Sequence, residues 1–339
     1  MAVPAAEAHQ SGLSPSGGPD EVAGDARPAE GTPAPRLSAA RFGLAGGRGG
    51  RDTAGMFTES LVAVSAEPAV ELFTARTPGP ADRTLLVIHG GPDWDHTYLR
   101  EPLSALAGRH RVVLPDLRGC GRSTRGLADG HYTPDAVVGD LVALLDALGC
   151  PRADVLGFSY GGLLAQRLAL AVPGRVRKLV VASSSVPPVP PDAFAGWRER
   201  EERLAAEADV WSDPALSGPD LTRAAAVASA ATDVWRPEAL PGYLRRLAKV
   251  RFSAEWMRPW RAGVLPSARP EDAARRLRDL GVPTLLLHGR QDMTFPAALA
   301  EEAATVMPDA HAVVIEEAGH MAHVDQPDRW LDALSGFLS

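Results

Sequence analysis

ADVLGFSYGGLLAQRLAL, residues 153–170, decides the fold. Its first five residues, ADVLG, read as a strand. YGGLLAQRLAL (160–170) carries helical spacing. Between them GFSYGG (157–162) must turn sharply, and Gly157 and Gly161 allow a tight turn with close approach of the helix. Ser159 then sits at the tip of a strand–turn–helix, the context that a nucleophile elbow requires. The alternative is a Gly-rich turn with an incidental serine, and the residues farther along the chain decide against it.

The same alternation runs outward in both directions. LVAV (61–64) and AVELFTA (69–75) read as a strand pair, followed by the buried strands TLLVIHG (84–90) and HRVVLPD (110–116). TPDAVVGDLVALLDALG (133–149) reads as a helix with Thr133 as N-cap and Pro134 in the first position. Val137, Leu141, Leu144, Leu145 and Leu148 recur on one face. VRKLVVASS (176–184) is the sixth strand. From VPPVPPDAF (186–194) to about residue 267 only helical patterns occur. Strands return at VPTLLLHG (282–289) and HAVVIEE (311–317). Continuous apolar strands alternating with amphipathic helices predict a mostly parallel eight-stranded sheet covered on both faces, with a helical insertion at 186–267 after the sixth strand.

A serine hydroxyl needs a base, and the base needs an orienting carboxylate. Asp292 follows the strand ending at residue 289, and His320 follows the strand ending near 317. Both therefore fall at the carboxyl edge of a parallel sheet, where catalytic groups gather. The order Ser159, Asp292, His320 fits an elbow-type triad. His323 reads as a partly exposed helix residue, and Glu316 and Glu317 stand too close to His320 in sequence to orient it.

HGGPDWDH (89–96) packs two histidines and two aspartates into eight residues. Its place directly after a buried strand favours an oxyanion loop over a metal site, and a phosphate loop would need a GKS/T ending. The backbone N–H groups of Gly91 and Tyr160 are the expected oxyanion donors. No metal and no cofactor is expected, because a serine triad uses neither.

Composition narrows the class. The chain has 339 residues, 45% hydrophobic and 23% charged, with a formal net charge of −7. That balance gives no sign of a nucleic-acid or membrane partner, and a small-molecule substrate of the elbow serine is the expected partner. Cys120 and Cys150 are too few for a disulfide framework. Neither a secretory signal nor a membrane span is read, so a cytoplasmic location is expected. Residues 1–55 are rich in Pro, Gly and Ala and are expected to be disordered. Patterned sequence begins at Met56, which leaves two readings open: a true start at Met56, or a real but unstructured tail. The expected organisation is a core of 56–185 with 268–339, and a cap of 186–267.

Taken together, HGGP (89–92), DLRGCGRS (116–123), GFSYGG (157–162), Asp292 and the Gly319–His320 pair resemble the α/β-hydrolase superfamily over about 57–339. HGGP with RGCGRS is most similar to its proline iminopeptidase-like branch of amidases and esterases. The resemblance implies a serine hydrolase that cleaves an amide or ester through an acyl-enzyme. Other outcomes it leaves open are a carboxylesterase, a thioesterase or lactonase of specialised metabolism, and a non-catalytic ligand-binding protein on the same scaffold. Two features depart from the branch: Asp93 stands where a glycine is usual, and Phe158 and Tyr160 flank the serine. Relatives with an elbow aspartate open epoxides or carbon–halogen bonds, whereas Ser159 implies acyl chemistry.

The insertion carries Trp197, Trp211, Trp235, Trp256 and Trp260. Trp256, Met257 and Trp260, with Asp93, Trp94 and Phe295, are the expected substrate-binding residues. Among the cap acids Glu199, Glu201, Glu202, Glu207 and Asp209, the pattern WREREERL reads as a solvated helix with i,i+4 ion pairs. The same acids could instead hold a substrate amine, as the resemblance implies, and Arg251, Arg258 and Arg261 could attract a carboxylate.

Overall fold

The computed structural model describes residues 50–51 and 55–339. Most of the expected N-terminal extension therefore lies outside the described residues. Eight strands of five residues or more form one sheet: β1 (Thr58–Ala66), β2 (Ala69–Arg76), β3 (Thr84–Ile88), β4 (Arg111–Pro115), β5 (Ala153–Phe158), β6 (Val176–Ala182), β7 (Thr284–Gly289) and β8 (Ala310–Ile315). Their spatial order is β1-β2-β4-β3-β5-β6-β7-β8, and a two-residue strand, Gly50–Arg51, pairs with β1 at the edge. β1 and β2 run antiparallel to their neighbours, and every other pairing is parallel.

The central strands are apolar on both faces because both faces are covered. Along β3, Leu86 and Ile88 pack under the helices Pro134–Ala147 and Tyr160–Ala171, with Leu141, Leu144, Leu164 and Leu168. Leu85 and Val87 face the other way, toward Leu99, Leu103 and the C-terminal helix residues Trp330, Leu334 and Leu338. The helix Pro134–Ala147 starts where its cap predicts: the Thr133 hydroxyl accepts a hydrogen bond from the Ala136 N–H at 3.1 Å. Leu148 is the residue at its C-terminal cap.

Between β6 and β7 the chain forms the helices Arg198–Ser212, Gly218–Ala228, Ala230–Asp233, Leu240–Leu247, Met257–Arg261 and Ala273–Leu280. The first five lie over the carboxyl edge of the sheet, where Met321 N–H donates to the Asp233 carbonyl at 2.8 Å. No helix among the described residues is long and apolar enough to cross a membrane.

Candidate active site

The turn after β5 is built from steric necessity. A Cβ on Gly157 would stand 2.2 Å from the Gly161 carbonyl oxygen, and one on Gly161 would stand 2.2 Å from the Ile88 carbonyl oxygen. Strand and helix thus approach at a distance that only glycine permits. Ser159 takes φ 54° and ψ −122° at the N-cap of the helix Tyr160–Ala171. Such a conformation costs a non-glycine residue on the order of 1–3 kcal/mol, so the surrounding packing must hold it.

The side chain it presents meets His320. Ser159 Oγ lies 3.1 Å from His320 Nε2, and His320 Nδ1 lies 2.9 Å from Asp292 Oδ2. All three residues are buried. Asp292 stands in the loop after β7, where its Oδ1 accepts the N–H groups of Thr294 (2.7 Å) and Phe295 (2.9 Å). Burial alone would raise its carboxyl. The charge of His320 and hydrogen bonds from His288 and His320 outweigh that and hold it well below the usual carboxylate range. It therefore remains an anion and acceptor at neutral pH.

The loop after β3 lies against the elbow: a Cβ on Gly90 would stand 2.7 Å from Ser159 Cβ. Gly91 has φ 56° and lines one narrow cavity with Trp94, Tyr98, Phe158, Ser159, His320 and Met321. Tyr160, the second expected oxyanion residue, opens the helix whose N-terminus points positive partial charge toward the site.

The histidines and aspartates of HGGPDWDH have separate tasks. His89 Nδ1 donates to the Gly90 carbonyl at 2.9 Å, and its Nε2 accepts from Leu117 N–H at 3.1 Å. Burial lowers the pKa of this ring, which keeps it neutral in that tautomer. His96 pairs with the buried carboxylate of Asp116. Asp95 caps Thr97 N–H and accepts Arg251 N–H at 3.0 Å. Asp93 is expected from the sequence to bind substrate, but its carboxylate reaches into the insertion. It accepts Ser253 Oγ–H, Trp256 N–H and Met257 N–H, each at 3.0 Å. Burial pushes its carboxyl up, against the lowering effect of those bonds.

Other expected pocket residues also fall elsewhere. Trp256 is buried in the seam between insertion and core, with Nε1 donating to the Arg118 carbonyl at 2.8 Å and its ring beside Tyr132 and Tyr160. Met257 is buried beside it, Trp260 is partly exposed, and neither lines the cavity. The backbone N–H groups of Trp256 and Met257 anchor this segment to Asp93. Phe295 stacks on His320, with ring centroids 6.1 Å apart and planes at 26°. Trp94 does line the cavity. Glu199 pairs with Arg203 and Glu202 with Arg198, both i,i+4, Arg258 pairs with Asp129, and the side chain of Glu207 lies outside the described residues. His323 is fully buried rather than partly exposed, packed by Tyr98, Phe158 and Trp330.

Four residues at the site escaped the sequence reading. Tyr98, Phe158 and Met321 line the cavity, and His288 touches Asp292. Phe158 and Met321 adjoin the serine and the histidine in sequence, so their position was available as a signal. Tyr98 gave none.

Known proteins resemble this chain over most of its described residues. A family model described as the alpha/beta hydrolase fold matches residues 83–327. A 2-hydroxymuconate semialdehyde hydrolase of Pseudomonas sp. (strain CF600) is 31% identical over 75% of this chain and 86% of its own length. A putative carbamate hydrolase of Caulobacter sp. (strain K31) is 32% identical over 77% of this chain and 93% of its own. Among solved structures, a proline iminopeptidase-related protein of Thermus thermophilus is 26% identical, with a TM-score of 0.63, covering 83% of this chain and 97% of that one. The chain belongs to the α/β-hydrolase fold family and is a hydrolase.

Proposed function

We propose that the protein is a serine hydrolase of a small acyl compound, working through an acyl-enzyme. The observation that carries this reading is the continuous line Ser159 Oγ, His320 Nε2, His320 Nδ1, Asp292 Oδ2, with contacts of 3.1 and 2.9 Å. Ser159 attacks the acyl carbon while His320 takes its proton. Asp292 keeps Nδ1–H in place and stabilises the imidazolium that forms. The backbone N–H groups of Gly91 and Tyr160 receive the oxyanion. His320 returns the proton to the leaving group, and water, deprotonated by the same ring, releases the acid.

The cavity supports an apolar acyl group. Trp94, Phe158 and Met321 are apolar, and the Tyr98 hydroxyl is occupied as acceptor of Gly90 N–H at 2.9 Å. No carboxylate lines the cavity among the described residues, and the cap acids Glu199 and Glu202 are held in ion pairs. Among the described residues a protonated amine in this cavity meets no carboxylate, which favours esters, carbamates or related acyl compounds over aminoacyl amides.

A fluorophosphonate probe should label the wild-type protein at Ser159, and Ser159→Ala should fold normally, escape labelling and lose nearly all turnover on a panel of small esters, carbamates and amides. Turnover retained in that variant would end the serine mechanism.

A further inference from the structure

We propose that His288 is a positioning residue for the acid–base pair, setting both the place and the basicity of Asp292. The proposal rests on the triad reading above. His288 is the fifth residue of β7 and is fully buried. Its Nε2 lies 2.7 Å from the Phe295 carbonyl oxygen and 3.1 Å from Asp292 Oδ2. Both of those atoms can only accept, so Nε2 carries the hydrogen, and Nδ1 meets no partner among the described residues. One N–H is thus shared between the loop backbone and the oxygen that also receives His320 Nδ1.

Two consequences follow. Mechanically, the bond to Phe295 closes the loop 289–295 onto its own strand. Phe295 is the residue whose N–H donates to Asp292 Oδ1 and whose ring stacks on His320. Electrostatically, a second side-chain donor on Oδ2 draws off part of the negative charge that stabilises the imidazolium. Removing the donor makes Asp292 a stronger partner for protonated His320. The base then holds its proton to higher pH.

Other charged or titratable groups face this cluster. Ser159 comes from the elbow and His323, with Arg246 behind it, from beyond His320. From the insertion, Asp233 accepts at its carbonyl from Met321 N–H, and Arg200 donates to the Met293 carbonyl at 2.7 Å. All of these stay in place when only His288 changes.

The test compares kcat/KM against pH for the wild type, His288→Leu, His288→Asn and His288→Gln on one p-nitrophenyl ester, with fluorophosphonate labelling of each. Leucine has no donor, the shorter asparagine amide falls short of Phe295 and Asp292, and the glutamine amide nitrogen can take the place of Nε2. A net hydrogen-bond contribution of ordinary size corresponds to an acidic limb displaced upward by about 0.5 to 1 pH unit in the leucine and asparagine variants. Glutamine should return it to the wild-type position. If leucine prevents folding, asparagine carries the comparison. An unmoved limb, with activity lowered alike in all variants, would reduce His288 to a packing residue and overturn the proposal. Wild-type protein that is not labelled at Ser159 would remove the triad reading and this proposal with it, whereas labelling with an unmoved limb removes this proposal alone.

Discussion

Asp93→Gly separates two roles for the loop between β3 and the insertion. The substitution supplies the residue usual in the iminopeptidase-like pattern, so a pocket role predicts altered substrate choice. The structure predicts lost stability instead. Ser253 Oγ–H and the N–H groups of Trp256 and Met257 would lose an acceptor they now reach at 3.0 Å. Hydrogen bonds to a charged acceptor contribute roughly 1.5–3 kcal/mol each. Two effects offset this. Glycine adopts the φ of 74° freely, which recovers about 1–2 kcal/mol. The desolvation cost that raises the Asp93 carboxyl also disappears. With water entering the space left behind, the expected net loss is about 2–4 kcal/mol. At a few degrees per kcal/mol for a domain of this size, Tm should fall by roughly 5–12 °C. Urea and thermal unfolding at pH 7 measure the loss, and kcat/KM on two structurally unrelated esters should fall by similar factors. An unchanged unfolding midpoint, or a selective loss on one ester with stability intact, would refute the reasoning and return Asp93 to the substrate pocket.

Further outcomes test other links. Gly161→Ala should destabilise by more than about 4 kcal/mol, since a Cβ there meets backbone at 2.2 Å; soluble protein with a wild-type midpoint would contradict the packing at the elbow. Gly139→Ala, on the exposed face of the helix Pro134–Ala147 with open space around it, should instead stabilise by about 0.5–1 kcal/mol in urea unfolding. Asp292 has a folded-state pKa depressed below its unfolded value near 3.9, so its stabilisation is fully present above about pH 4 and is lost as pH falls toward the folded value. Asp292→Asn should therefore flatten the acid side of a stability–pH curve and, by misplacing the proton on His320, lower kcat by about 10⁴-fold. Aminoacyl p-nitroanilides should be hydrolysed no better than their N-acetylated forms, and Glu199→Gln should not alter that ratio; a strong preference for the free amine would show that a carboxylate does reach the substrate.

The elements were legible because their signals are local. β3, β5 and β7 announce themselves as apolar runs, and the helix Pro134–Ala147 carries its own cap and apolar stripe. The meeting of Ser159, His320 and Asp292 was legible because an elbow and two post-strand loops must share the carboxyl edge of a parallel sheet. His320 could be separated from His323 by its place in the loop, but the burial of His323 could not be read, since beside the nearby Trp330 it rests on Tyr98 and Phe158 far along the chain. Asp93 looked like a site residue for the same reason, and the task of Asp95 was equally hidden. Their partners Ser253, Arg251, Trp256 and Met257 lie about 160 residues away.

By itself the sequence determined the order of strands and helices, the sharp turn at Ser159 and the placing of Asp292 and His320 in loops that follow strands. Each of these depends on backbone preference and residue type over a few positions. Only the tertiary structure decided which side chains face the cavity, that HGGPDWDH fastens the insertion with its aspartates, and that His288 shares its hydrogen with Asp292 and Phe295. Those outcomes depend on how distant segments pack, because a buried donor takes whichever acceptor the fold brings within about 3 Å.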